Sequence, residues 1–117
     1  MAVIVQKYGG SSLETIEKIK NIAERIIKRK SEGNDMVIVV SAMGQTTDNL
    51  IKMAHDISPD PDKRELDVLM STGEQVSMSL LSIALNHFGA DAVSFTGQQI
   101  GIKTNGSHTK SKIADIN

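Results

Sequence analysis

Apolar residues in this chain fall into two kinds of spacing, and the alternation between them predicts the elements. Val3, Ile4 and Val5 form a short apolar run that predicts a strand over residues 2–7. Ile16, Ile19, Ala23, Ile26 and Ile27 then recur at intervals of three and four, with Glu17, Lys18, Lys20, Glu24, Arg25 and Lys28 between them. That pattern predicts an amphipathic helix burying Ile16, Ile19, Ala23 and Ile26. Ser11 and Glu14 have capping-box spacing at its start, and Gly33-Asn34 supplies the stop. Met36 to Val40 is a continuous apolar run, as in a strand covered on both faces of a parallel sheet, over 36–41. A second helix, capped by Thr46, Thr47 or Asp48, is predicted to about Ile57. Asp60 and Pro61 then read as N-cap and first position of a third helix. Its stripe runs Leu66, Leu69, Met70, Gly73, Ser77, Leu80, Leu81, Ala84, Leu85 and Phe88, and Gly89 ends it. Ala92 to Phe95 predicts a third strand, Asn105-Gly106 a hairpin turn within Gly101 to Gly106, and Lys112 to Ile116 the start of another element. Strands alternating with helices predict an α/β fold, a three-layer α/β/α sandwich on a mainly parallel sheet.

Candidate chemistry gathers where strands end. Lys7-Tyr8-Gly9-Gly10-Ser11-Ser12 joins the first strand to the first helix, the edge at which open α/β sheets place ligands. Two glycines let an anion approach the backbone, helix-terminal amides favour negative charge, and Lys7 adds a mobile cation, so phosphate is the indicated guest. The same residues also describe an ordinary βα junction with Lys7 solvated. Neither the P-loop pattern nor the dinucleotide fingerprint is present. The second strand ends in Ser41-Ala-Met-Gly-Gln-Thr-Thr-Asp48, a small polar loop on the same edge, suited either to a small polar substrate or simply to helix capping. Ser71-Thr72-Gly73-Glu74 interrupts the apolar third helix with a glycine that costs about 1 kcal/mol relative to alanine, so a close backbone or ligand contact is expected there. Glu74 reads otherwise as a solvated face residue.

Composition narrows the classes. At 117 residues the length is that of one domain, and a net charge of -1 with 3% aromatics gives no basis for nucleic-acid binding. Cysteine is absent, so disulfide and thiolate chemistry are excluded. His55, His87 and His108 lie singly, without metal-ligand spacing, and no metal site is assigned. No basic leader precedes Val3, and no uniformly apolar run approaches the roughly 20 residues of a membrane span, so the reading is of a soluble cytoplasmic chain.

Three stretches together, Lys7-Tyr-Gly-Gly-Ser-Ser, Val39-Val-Ser-Ala-Met-Gly44 with Thr46-Thr47-Asp48, and Ser71-Thr-Gly-Glu-Gln75, resemble the aspartate kinases of the amino-acid kinase family, as does Gln99-Ile-Gly-Ile102. The resemblance covers the whole chain in order. It implies the amino-acid kinase fold and transfer of the γ-phosphoryl group of MgATP to the side-chain carboxylate of L-aspartate, the step that opens lysine, threonine and methionine biosynthesis. On the matching positions it implies that Lys7 stabilises the transferring group, that Tyr8, Gly9, Gly10 and Ser11 line the phosphate path, and that Ser41, Thr47 and Glu74 hold aspartate, Glu74 facing its ammonium. Tyr8 stands where phenylalanine is common and Ser11 where threonine is common. Family members carry a second half of the kinase domain, with the nucleotide lobe and an arginine for the substrate, and regulatory ACT domains, none of them within these 117 residues. Residues 1–117 thus read as the N-terminal, amino-acid-binding lobe, truncated and expected to be inactive alone. Other readings are a relative with a different acceptor, such as glutamate 5-kinase, and a non-catalytic module that associates through an open sheet edge. Oligomeric state, a homo-oligomer included, is left open.

Overall fold

The computed structural model describes residues 2–96 together with the backbone of 102–104 and 113–116. Strand β1 (Val3–Tyr8) is followed by a single 3₁₀ turn (Gly10–Leu13), helix α1 (Ile16–Ser31), strand β2 (Asp35–Val40), helices α2 (Thr46–Ile57) and α3 (Lys63–His87), and strands β3 (Ile102–Thr104) and β4 (Ile113–Ile116). β1 and β2 pair in parallel with Val3 opposite Asp35 and Tyr8 opposite Val40, while β3 and β4 pair antiparallel. The expected parallel βαβ unit is present. The hairpin turn expected at Asn105-Gly106 lies outside the described residues.

The core is a seam between α1, α3 and one face of the sheet. Leu13, Ile19, Ile22, Ala23, Ile26, Leu81 and Leu85 form it, with Tyr8, Met36, Ile38 and Val40 packed against them. Both strands alternate exposed and half-buried positions along their length. Val3, Val5, Val37 and Val39 therefore lie exposed on the other face, and the expectation that β2 is covered on both sides is corrected: among the described residues α1 and α3 share one face.

α1 begins later than its sequence predicts. Thr15, not Ser11, is the N-cap, its Oγ1 accepting from the Lys18 amide at 3.2 Å. Glu14 does not reach back to close a capping box; it pairs with Lys18 Nζ at 2.8 Å, and the same Nζ donates to Ser11 O at 3.1 Å. Leu13 explains the delay. On a helix continuous from Ser11 it would lie about 120° around the axis from Ile19, away from the core; the 3₁₀ turn swings it in, and it is fully buried. A second correction follows from the displaced start. Ile16 is 52% exposed, and Ile22, nearly two turns further on, is buried instead.

Two other caps differ from expectation. No side chain caps α2, whose preceding residue is Gln45, and Asp62 rather than Asp60 caps α3, its Oδ1 accepting from the Glu65 amide at 2.9 Å. α1 and α3 end as predicted, at left-handed Gly33 (φ 94) and Gly89 (φ 98). α3 buries Gly73, Ser77, Leu81 and Leu85 from its predicted stripe. At 25 residues it is also long and apolar enough to cross a membrane by length and composition; only 22% of that apolar stretch is buried here, with Leu81 and Leu85 in the core and Leu80 and Ala84 packed against it. Ala92 to Phe95 is not a strand. Asn86 takes the place of a ladder partner, its Oδ1 accepting from the Ala92 amide at 2.8 Å and its Nδ2 donating to Ala92 O at 3.2 Å.

Candidate active site

The loops that follow β1 and β2 are joined to each other. Ser41 N–H donates to Tyr8 O at 3.3 Å, extending the parallel ladder by one step, and Gly44 N–H donates to Gly10 O at 2.9 Å. Gly44 adopts a left-handed φ of 39, and a Cβ there would meet Glu14 Cβ at 3.1 Å, so glycine lets the second loop fold down on the first. The two glycines of the first loop have different surroundings. A Cβ on Gly10 would lie 3.2 Å from Ala42 O, beneath the second loop, whereas one on Gly9 would have nothing within 4 Å. Gly9 thus leaves the backbone open to an approaching group, and Gly10 fixes the loop that approaches it.

Alternation along β1 separates Lys7 from Tyr8. Lys7 lies on the open face of the sheet, in register with Val39; Tyr8 lies on the helix-covered face, packs on the core, and donates its hydroxyl proton to Gln6 Oε1 at 2.9 Å. Tyr8 and Ser11 line a shallow groove of about 420 Å³ with Lys18 and Arg25 on the α1 side. The N-terminus of α1 is not at the glycines, because the 3₁₀ turn intervenes. The amides that face the first loop are therefore those at the start of that turn, ahead of its first bond from Ser12 N–H to Gly9 O.

α3 contributes the third element. Gly73 is buried against the second loop and α2: a Cβ there would lie 3.1 Å from Ala42 Cβ and 3.2 Å from Thr46 Cγ2. The contact expected of a mid-helix glycine is thus with the loop that carries Ser41, and the next residue, Glu74, is exposed beside it. In this motif and just after it the hydroxyls of Ser71, Thr72 and Ser77 are occupied by their own helix, donating to Val68 O, Leu69 O and Gly73 O. The side chains of Lys7, Ser41, Thr47 and Glu74, by contrast, make no hydrogen bond or ion pair among the described residues, although Ser41 and Thr47 are half-buried. The Ser41 and Thr47 hydroxyls thus remain available to a ligand, while Lys7 and Glu74 carry exposed charges on the two flanking segments. Ala42 and Gly44, which hold these segments together, have no individual role in the sequence pattern, and Thr46 reads there only as a candidate helix cap; the left-handed requirement at Gly44 is a signal that its motif carries.

Comparison with known proteins agrees with this architecture. Among solved structures, the crystal structure of aspartate kinase from Synechocystis superposes with a TM-score of 0.83 at 51% sequence identity, over 87% of this chain and 17% of that one. The aspartokinase of Mycolicibacterium smegmatis is 51% identical over 116 residues, and aspartokinase 2 of Bacillus subtilis 53% identical over the same length. In both cases the match takes in 99% of this chain and 28% of the relative, so the chain spans little more than a quarter of their length. The profile of the Amino acid kinase family matches residues 2–117, and with a parallel βαβ unit whose two glycine-bearing loops meet, the chain belongs to that family.

Proposed function

We propose that these residues form the amino-acid-binding part of an aspartate kinase, acting in the cytoplasm on L-aspartate and MgATP, with neither nucleic acid nor membrane as partner. The observation that carries this reading is the meeting of three segments: the first loop bound to the second through Gly10 and Gly44, and α3 seated on the second through Gly73. In the proposed arrangement Ser41 and Thr47 hold aspartate by hydrogen bonds, and Glu74 receives its ammonium group. An exposed carboxylate on the residue after Gly73, and half-buried hydroxyls flanking the loop that Gly73 touches, match the zwitterionic end of an amino acid, and charge-assisted bonds of this kind contribute about 1.5–3 kcal/mol each.

The reaction needs no nucleophile from the protein. An oxygen of the substrate's side-chain carboxylate forms a bond to the γ-phosphorus as the bond to the β,γ-bridging oxygen breaks, and ADP carries that electron pair away. Lys7 supplies positive charge to the phosphoryl oxygens, and the open backbone at Gly9, with the amides of Gly10 and Ser11, lines their path. Tyr8 serves through its carbonyl, which receives the Ser41 amide, rather than through its ring. Magnesium, brought with ATP, would neutralise the phosphate charge.

The test is a titration of the ¹⁵N-labelled chain with L-aspartate and, separately, with L-glutamate. L-aspartate is expected to shift the amides of residues 41–48 and 73–75, with smaller effects from L-glutamate. Absence of these shifts in the folded chain, or a stronger response to L-glutamate, would remove the aspartate assignment.

A further inference from the structure

Gly73 lies inside a 25-residue helix, where glycine is the poorest helix former after proline. The atoms that crowd it are not free to yield. Ala42 is 5% exposed and its Cβ is one bond from the backbone, and Thr46 Cγ2 hangs from a β-branched carbon in the first turn of α2, so a methyl group at position 73 at 3.1 and 3.2 Å from them moves main chain. Only Leu50 Cδ1, at 3.5 Å, is the end of a flexible side chain. The loop in question is also held from its other side, by the Gly44 to Gly10 hydrogen bond and by the close approach of Gly10 to Ala42 O. Residues 41–46 are thus clamped between Gly10 and Gly73, with Ser41 at one end and Thr47 just beyond the other.

We propose that Gly73 is a positioning residue of the amino-acid site: its missing side chain sets the separation between Glu74 and the loop carrying Ser41 and Thr47, and so the affinity for the ammonium-bearing end of the acceptor. This rests on the aspartate reading above. Gly73 touches no substrate itself. It acts through Ala42 and Thr46, which must each give way by a few tenths of an ångström to admit even a methyl group.

Gly73→Ala separates this role from a purely structural one, because alanine improves helix propensity while closing the gap. The variant is expected to keep the amide dispersion of a folded chain, to move the amides of residues 41–47 in the absence of ligand, and to bind L-aspartate at least about tenfold more weakly, the loss of roughly one charge-assisted hydrogen bond. Adding Thr46→Ser and Ala42→Gly removes both crowded atoms and is expected to restore those amides and the affinity. The triple variant also decides the matter should Gly73→Ala alone fail to fold: folded and binding, it supports the role; folded without binding, it overturns it. Unchanged 41–47 amides in Gly73→Ala overturn the inference whether or not aspartate binds. Wild-type affinity in Gly73→Ala overturns it while leaving the aspartate reading intact, and a wild-type chain that ignores L-aspartate overturns that reading instead.

Discussion

Leu13→Ala tests how the first loop is held. Leu13 is fully buried in the core it shares with Ile19, Ile22 and Leu81, and it lies three residues after Gly10, so it anchors the glycine turn to the core from one side as Tyr8 does from the other. Removing three carbons forfeits about 2.4 kcal/mol at roughly 0.8 kcal/mol per methylene. The cavity adds to this, because α1 and α3 cannot both close on it, and the total is expected at about 3–4 kcal/mol. That is a large share of the roughly 5–15 kcal/mol typical of a domain. Urea unfolding followed by circular dichroism would read it as a midpoint lowered by roughly 1–4 M at unchanged slope. Val5→Thr is the control: Val5 is 65% exposed on the open face of the sheet, and the substitution is expected to stay within about 0.5 kcal/mol. A loss below about 1 kcal/mol for Leu13→Ala would refute the anchoring argument.

Two further substitutions probe α3. Ser77 is completely buried with a long 3.3 Å bond to Gly73 O, so Ser77→Ala is expected to be neutral or stabilising by up to about 0.5 kcal/mol, while Ser77→Val overpacks the seam and costs about 1–3 kcal/mol in the same urea assay. Asn86→Ala removes both hydrogen bonds to Ala92 and is expected to cost about 1–2 kcal/mol and to speed amide exchange at Ala92, measured by hydrogen exchange; unchanged protection there would show that the segment is held by something else.

The periodic elements were legible because their signals are local. Runs of β-branched residues, the three-and-four spacing of α1 and α3, and the stops at Gly33 and Gly89 each declare themselves within a few residues. Caps were less legible. Ser11, Ser12 and Thr15 all compete at the start of α1, and the choice fell to Thr15 because Leu13 had to reach a core that the local pattern does not contain. The strand expected at Ala92 to Phe95 failed for a similar reason: extended backbone becomes a strand only beside a partner, and Asn86 had already taken the Ala92 groups. Candidate site residues were visible as motifs. What the motifs did not reveal was which member packs and which stays open, as with Gly10 against Gly9, or Tyr8 on the core against Lys7 on the open face.

The central claim, that these residues present aspartate to a phosphoryl donor, is tested most directly by exchange into a working relative. Bacillus subtilis aspartokinase 2, whose matched 116 residues are 53% identical, would carry this chain in place of that segment. ADP release dependent on L-aspartate and MgATP is predicted, abolished by Lys7→Ala and reduced by Glu74→Gln through a KM for aspartate raised at least about tenfold, with the KM for ATP unchanged. A folded chimera that turns over without regard to Lys7 and Glu74, or prefers L-glutamate, would contradict it.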